Sequence, residues 1–356
     1  MIDVPHRTNS EQGSSAPATQ VDVAREAGVS LPVVSYVLNK GPRPVAPATR
    51  QRVLEAMERL DYRPHAGARA LRLRRDQVLG LVVSDITDPF YAALARDLEL
   101  HARARGYALL SCNVDHDPTV ERTHLDILLE HRVAGVFVGG STLEPDAWRE
   151  LAQRSVPLVF VNSGARPGFA TVGHGGSTWM QALVTHLVQA HGHRRIAYIG
   201  PERTAYRRKS GYLAGLEAVG IALDPGWVVE IGDDLAAGRA ALIHLFDDLP
   251  AARQPTAVVA FNDLLAIGAL RGAAERGLRV PEDLAITGYA GTPWGEYSVP
   301  ALTTVALDTR GHAAASLDAL EAQLRSGRTL PEDSHTIVPA RLVLRESCGC
   351  AATHGE

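Results

Sequence analysis

The chain has 356 residues, 46% hydrophobic, 21% charged and 5% aromatic, which excludes general disorder and fibrous repeats and, at roughly 100–200 residues per domain, implies more than one core. Cys112, Cys348 and Cys350 are too few for a disulfide-built secreted scaffold, and no apolar run reaches the ~18–20 residues that span a bilayer, so a cytoplasmic protein without membrane contact is expected. The formal charge of −4 hides an asymmetry: between Thr19 and Arg75, Lys40 and ten arginines face five acids, a net +6, leaving −9 from Asp76 onward.

A small basic head on a large acidic body is the charge pattern of a nucleic-acid-binding module joined to a second function. Residues 1–18, rich in Ser, Pro, Gly, Asn and Gln without an apolar period, read as a disordered tail. From Thr19 the pattern turns helical. Val21, Val23, Ala24 and Ala27 line one face, Thr19 caps the start, and Asp22 makes a short-armed capping box. Gly28 stops that helix. Ser30 caps a second, Leu31 to Asn39, which tolerates Pro32 in its first turn because the missing N–H has no intrahelical partner there. Lys40-Gly41-Pro42-Arg43-Pro44 is loop, and a third helix spans Pro47 to Leu60 with Val53, Met57 and Leu60 turned inward.

Beyond Asp76, apolar runs of strand length alternate with amphipathic helices. Val78–Val83 precedes a helix over Phe90–Arg105, Tyr107–Cys112 one over Val120–His131, and Val133–Val138 one over Asp146–Arg154, before Leu158–Val161 closes the set. A second set opens at Ala170–Val172 with a helix to His191. It continues through Ile196–Ile199, a helix near Arg207–Val219, Trp227–Ile231, a helix near Gly238–Phe246, Ala257–Phe261, a helix over Leu264–Arg276, and Leu284–Thr287. Such alternation gives parallel sheets covered on both faces, here two doubly wound α/β lobes rather than one giant sheet. Leu302–Ala306, a helix over His312–Leu324 and Ile337–Leu344 remain to cross between the lobes and close a clamshell.

The strongest local signal is Asp22-Val-Ala-Arg-Glu-Ala-Gly-Val-Ser-Leu-Pro-Val-Val-Ser-Tyr-Val-Leu-Asn39. Two short helices around a Gly-containing turn of three residues make a helix-turn-helix, whose second helix enters the major groove. A plain helical hairpin would share the spacing but not the coincident basic excess. The segment resembles the head of LacI/GalR-type bacterial transcriptional regulators, whose signature reads approximately D-V-A-x-x-A-G-V-S-x-x-T-V-S-R-V-L-N. The resemblance continues through Val45-Ala-Pro-Ala-Thr-Arg-Gln-Arg-Val, Leu60-Asp-Tyr-Arg-Pro64 and Ala68-Arg-Ala-Leu71. In the body it runs through Gly80-Leu-Val-Val, Asp88-Pro-Phe-Tyr91, Gly192-His-Arg-Arg-Ile-Ala197, Phe261-Asn-Asp263, Val280-Pro-Glu-Asp-Leu284 and Pro300-Ala-Leu-Thr-Thr304. It covers about Thr19 to Ser347, in order and at family spacing.

The resemblance implies an all-α helix-turn-helix head plus an α/β body of two doubly wound parallel-sheet lobes, a periplasmic-binding-protein-like clamshell. The implied layout is a head at 19–63, a hinge at 64–75, a two-lobed effector and dimerisation body at 76–347, and a flexible tail at 348–356. The first lobe is expected at about 76–168 plus 304–332 and the second at about 169–303 plus 333–347. By resemblance Leu31, Pro32 and Tyr36 read bases, Ser30, Ser35, Asn39, Thr49 and Tyr62 hold phosphates, and Thr19 and Ala68 also touch DNA. Leu31 and Pro32 carry no donors, so they offer apolar contact such as to thymine methyls, while Tyr36 keeps one hydroxyl. A typical Arg is absent at Tyr36 and a typical Thr is Val33, so weaker guanine readout is expected. In the hinge, Leu71 sits at the position that wedges a minor-groove step, or else packs on the body with 66–70 as mere linker. His65 replaces the usual Asn cap there, and Gly67 lies inside the implied helix.

Ligands of open α/β lobes sit beyond the carboxyl ends of the strands. Those ends carry Asp85, Asp88, Phe90, Tyr91, Asn162, Asn262, Asp263 and Tyr289, which match family effector positions together with Arg208, although Asp88 and the Asn262-Asp263 pair could equally cap helices. Gly175-Gly176 stands where the family has Asp-Asn, and Ala290-Gly291 where it has an acidic pair. Aromatic faces, amides, carboxylates and one guanidinium suit a small polyol or sugar, but without those acids the effector is expected to be less hydroxylated, or anionic, or the response to be lost. Gly173-His-Gly-Gly-Ser-Thr178 leads into a helix and could present N–H groups to an anion, but it lacks the lysine of a nucleotide-binding loop.

No G-x-S-x-G, G-x-G-x-x-G or paired catalytic set occurs, so no enzyme activity and no cofactor is expected. Metal is not expected either: His191 and His193 read as capping or solvated, and Cys348-Gly-Cys350 has no second ligand pair in view. The expected partners are an operator in double-stranded DNA, a sugar-like or anionic small-molecule effector, and a second copy of the chain, paired through the helices near Tyr91–Arg105 and Leu264–Ala274. A solute-binding protein would share the clamshell but not the basic head, and an α/β enzyme would need catalytic groups.

Overall fold

The computed structural model describes residues 18–39, 45–62, 78–153, 156–201, 206–326 and 334–351, in two compact units that divide after Arg75. All of the expected 1–18 tail except Ala18, which packs against the head core, the Lys40–Pro44 loop and the 64–75 hinge with Ala68 and Leu71 lie outside the described residues.

The head is three helices, α1 (Gln20–Glu26), α2 (Leu31–Asn39) and α3 (Pro47–Arg59). The Thr19 and Asp22 capping box forms: Asp22 N–H donates to Thr19 Oγ1 at 3.4 Å, and Thr19 N–H donates to Asp22 Oδ2 at 3.0 Å. Gly28 takes φ +61, a left-handed turn in which a Cβ would meet nothing in space but would strain the backbone. The core joins Val23, Ala24, Ala27, Val34, Val37, Val53, Ala56 and Tyr62. On α3 it is Ala56, with Val53, that is fully inward, whereas Met57 and Leu60 are only half-buried.

In the body, β1 (Val78–Val83), β2 (Ala108–Asn113), β3 (Gly135–Gly139), β4 (Leu158–Val161) and β5 (Ala170–Gly173) alternate with α4 (Pro89–Ala104), α5 (Pro118–Glu130) and α6 (Pro145–Ala152). Their sheet has the order β11-β5-β4-β3-β1-β2, with β11 (His335–Ile337) at its edge. The second sheet holds β6 (Ile196–Gly200), β7 (Val228–Glu230), β8 (Ala257–Ala260), β9 (Ala285–Ala290), β10 (Thr303–Leu307) and β12 (Ala340–Val343), in the order β12-β10-β9-β8-β6-β7. It is flanked by α7 (Gly176–His191), α8 (Tyr206–Ala218), α9 (Leu235–Asp247), α10 (Asp263–Glu275) and the short α11 (Pro293–Glu296). Among the described strands of the two sheets, β12, paired antiparallel to β10, alone breaks the parallel pattern. Strand residues buried on both faces, as in β3, β6 and β8, explain why these segments read as unbroken apolar runs. No helix among the described residues is long and apolar enough to cross a membrane.

Three expected boundaries change. Ala170–Gly173 pairs parallel with β4 and completes the first sheet instead of opening the second. Thr303–Leu307 belongs to the second sheet, while α12 (Thr309–Ser326) returns to the first lobe and buries Ala313, Leu317 and Leu320 in its core. The apolar run near Ile337–Leu344 is two strands, β11 in the first sheet and β12 in the second, with the crossing at 338–339. At the start of the expected 348–356 tail, of which 352–356 lie outside the described residues, Cys348 is buried and Gly349 N–H donates to the Glu346 carbonyl at 2.8 Å, just after Ser347 donates to the Ala301 and Ile286 carbonyls at 3.0 and 2.6 Å. Helix–helix packing also fixes α8. A Cβ at Gly211 would collide with the Ser177 carbonyl, so this glycine lets α8 lie directly on the start of α7.

Gly28→Ala is expected to destabilise the head by about 1–2 kcal/mol through its left-handed backbone alone. Faster amide exchange in α1 and α2, with exchange in the body unchanged, is the reading that checks it.

Candidate functional site

Two surfaces carry the chemistry. On the head, Val34 and Val37 turn inward, which leaves Leu31 and Pro32 exposed at the start of α2 and Tyr36 half-buried one turn further on. Ser30 is exposed, and Ser35 and Thr49 are half-buried. Thr19 is exposed, but its hydroxyl is already engaged with Asp22 at 2.6 Å. Tyr62, expected at a phosphate, is instead packed in the head core with 9% exposure. The side chain of Asn39 lies outside the described residues.

In the body, a cleft of about 790 Å³ opens where the carboxyl ends of the two sheets face each other. Arg208 on α8 dominates one wall. Its guanidinium lies between the rings of Phe261 and Tyr289, 4.2 and 4.1 Å from their centroids, and Nη1 donates to the Phe261 carbonyl at 2.6 Å. Such stacking holds a cation rigid while leaving further donors free. Beside it starts α7, whose N-cap Gly175 has φ +68 and supplies no side-chain cap, so the backbone at Gly176, Ser177 and Thr178 lines the cleft uncapped. From the opposite lobe come Tyr91, Asn162 and Ser163. His116 and Asp233 also line it, one from each lobe, with Nε2 and Oδ1 at 3.8 Å.

Asn162 ends β4 in the left-handed region, φ +51, which asparagine tolerates better than most residues. Its N–H donates to His312 Nε2 at 3.1 Å, so a ring on α12 pins the backbone that presents Asn162 to the cleft. His312 stacks on His174 with centroids 4.5 Å apart, and both rings are buried. Burial drives both toward the neutral form, His174 down to about 4 and His312 well below its ordinary range. Neither ring nitrogen of His174 has a hydrogen bond of good geometry; the Asp308 backbone favours its protonated form only weakly against desolvation.

Of the residues expected at the effector, Tyr91, Asn162, Arg208 and Tyr289 line the cleft together. The others are taken up by the fold. Asp88 caps α4, accepting from Phe90 N–H at 2.8 Å, and burial pushes its carboxyl up to about 6. Asp85 accepts from Thr87 N–H at 2.7 Å, and Phe90 packs edge-on against Tyr91. Asn262 caps α10 and donates to the Asp233 carbonyl at 2.8 Å. Asp263 is wholly enclosed, accepting from Thr292 N–H at 2.6 Å and from the hydroxyls of Thr292 and Thr304 at 2.9 and 2.6 Å. His174, His312, His116 and Asp233 escaped the sequence reading. His174 lay within the Gly173–Thr178 run already singled out, but no local pattern marks the other three.

A helix-turn-helix head on a two-lobed, cleft-bearing body is the architecture of a DNA-binding transcription regulator. Residues 19–65 match the bacterial regulatory proteins of the lacI family, and residues 184–348 match the periplasmic binding protein-like domain. The chain is 33% identical over 292 residues to the HTH-type transcriptional repressor PurR of Haemophilus influenzae (strain PittEE), covering 81% of this chain and 85% of that protein. It is 33% identical over 296 residues to the HTH-type transcriptional regulator DegA of Bacillus subtilis (strain 168), covering 81% and 86%. Among solved structures, it is similar to the lac repressor dimer bound to operator and the anti-inducer ONPF, with TM-score 0.80 and 26% identity over 94% of this chain and 99% of that one. It is also similar to a complex of the transcriptional regulator CelR with cellobiose, with TM-score 0.68 and 27% identity over 93% and 99%. The chain belongs to the LacI family of bacterial transcriptional regulators, whose members are not enzymes.

The histidine pair predicts acid sensitivity. An unfolded chain protonates these rings below about 6.5 while the folded one keeps them neutral, so stability falls as pH drops from about 6.5 toward 4. Asp88 acts in the opposite sense, holding its proton in the fold up to about 6, so its burial weighs less as pH falls. His174→Phe is expected to shrink the loss of urea resistance across the window from 6.5 to about 4. An equal or steeper loss in the variant would remove His174 as its source.

Proposed function

We propose that this chain is a cytoplasmic repressor that binds a pseudo-palindromic operator in double-stranded DNA as a homodimer and is modulated by a small metabolite in the inter-lobe cleft. The observation that carries the reading is the union, in one chain, of a basic helix-turn-helix and an Arg208-centred cleft. Residues 19–63 serve as the reader. Leu31 and Pro32 meet apolar base edges, Tyr36 places its hydroxyl, and Ser30, Ser35, Asn39 and Thr49 fix register on phosphates. Residues 64–75 are the hinge, with Ala68 and Leu71 on the minor-groove side.

Pairing of two copies is supported by apolar side chains left in solvent: Leu100 on α4 at 42% exposure, and Trp294, Tyr297 and Val299 around α11 at 62, 82 and 94%. On α10, Leu265, Ala266, Ala269 and Ala273 are buried within the chain itself, and the face of half-buried Leu264 and Ile267 with exposed Arg271 and Ala274 is left for a partner. The effector is a sugar-like or anionic metabolite. An anion is favoured by the uncapped start of α7 beside Arg208, where backbone N–H groups and a guanidinium converge. Binding that shifts one lobe against the other then changes operator affinity, a coupling typically worth ~1–3 kcal/mol.

Selection of genomic fragments by the purified chain is expected to return inverted-repeat sites whose affinity drops steeply with salt. Tyr36→Ala should weaken the best site by about 1–3 kcal/mol and alter its base preference; an unchanged site would remove Tyr36 from the reading set. Calorimetry against neutral sugars, sugar phosphates and carboxylates should find binding that Arg208→Ala abolishes. Binding of neutral sugars alone would overturn the anionic effector.

A further inference from the structure

Away from the cleft, the last two turns of α7 and the segment that follows β12 bring together two histidines and two cysteines. Cys350 Sγ lies 3.3 Å from His191 Nε2 and 3.6 Å from His186 Nε2, and Cys348 Sγ lies 3.7 Å from the same His186 nitrogen. All four potential donor atoms are within 4.8 Å of one another. We propose that His186, His191, Cys348 and Cys350 form a structural zinc site that fastens the 345–351 segment to the C-terminal end of α7.

The dimensions suit the ion. With Zn–S near 2.3 Å and Zn–N near 2.0–2.1 Å, the S···N edge of a tetrahedron is about 3.5 Å, close to the three separations observed. Two thiolates and two imidazoles are the soft, four-coordinate set that selects zinc over magnesium or calcium. All four positions are filled by protein and Cys348 is buried, so the site is closed, as structural zinc sites are, with no position for a reacting water.

Supporting contacts shape the site. The Thr303 hydroxyl on β10 donates to Cys348 Sγ at 3.0 Å, a bond that strengthens when the sulfur is a thiolate. Gly349 has φ +96, and a Cβ there would stand 3.3 Å from His191 Nδ1, so glycine lets the C-x-C turn close against the imidazole. Cys348-Gly-Cys350 lacked a second ligand pair by sequence proximity because its partners lie 159–164 residues earlier in the chain. The fold supplies what local spacing did not show.

The test uses the untagged full-length chain, purified in reductant without chelator, with zinc measured by plasma mass spectrometry and cobalt(II) as a spectroscopic replacement. One equivalent of zinc per chain is expected, and the cobalt form should show the visible bands of a tetrahedral ion and sulfur-to-cobalt charge transfer. Cys350→Ser and His191→Ala should each lower zinc affinity by about tenfold or more and weaken the cobalt bands, whereas Cys112→Ser should leave both intact. Chelation should lower the Tm of the wild-type chain but not that of Cys350→Ser. A wild-type chain that neither retains zinc nor gives the tetrahedral cobalt spectrum overturns the proposal, as does zinc content indifferent to both ligand substitutions. If one variant fails to fold, the other and the wild-type cobalt spectrum still decide.

Discussion

The body rests on one topological constraint: neither sheet is completed by a continuous stretch of chain. The backbone leaves the first sheet after Gly173, returns for α12 after Leu307, adds β11 to the first sheet and crosses again to β12. Each lobe therefore carries a strand or a covering helix that arrives late in the sequence. Two of these crossings run beside the cleft, where His174 and Gly175 at the first and Ile337 at the last are among the lining residues. A cleft placed there is lined by both lobes.

Within that frame the cleft chemistry is asymmetric. The second lobe provides a held cation, Arg208 clamped between two aromatic faces, and the bare start of α7. The first lobe provides polar groups presented by strand ends, of which Asn162 is braced from behind by His312. Other polar side chains at the strand ends are committed elsewhere: Asp88 and Asn262 cap helices and Asp263 ties β10 to the turn before α11. Charged side chains line the cleft from both sides, Arg208 and Asp233 from the second lobe and Glu144 and Arg166 from the first.

Much of this was legible from the sequence. The helix-turn-helix, its capping box and the alternating strands and helices follow from local periodicity, and the motif series identified the family. Sheet membership did not follow, because Ala170–Gly173 has the same composition whichever sheet it joins, and only its pairing with β4 decides. Roles at strand ends were divided for a related reason: an Asp or Asn after a strand serves equally to cap the next helix or to meet a ligand, and Asp263 was settled by Thr292 and Thr304, far along the chain. His174 and His312 were invisible as a pair, since the expected first lobe held His312 but left His174 in the second, and only the pairing of β5 with β4 brings the two rings to one lobe.

That return has a consequence for biosynthesis. Leu317 and Leu320 of α12 fill the face of the first sheet, against which Gly135 leaves room for Leu320. Until a ribosome has released residues 309–337, the first lobe emerges with an uncovered apolar face and an unpaired edge at β5. The N-terminal head can close its own small core early, but the lobe next to it must wait for almost the entire chain. During synthesis the first lobe thus carries the kind of uncovered apolar face and unpaired strand edge through which folding intermediates aggregate, until those late residues arrive.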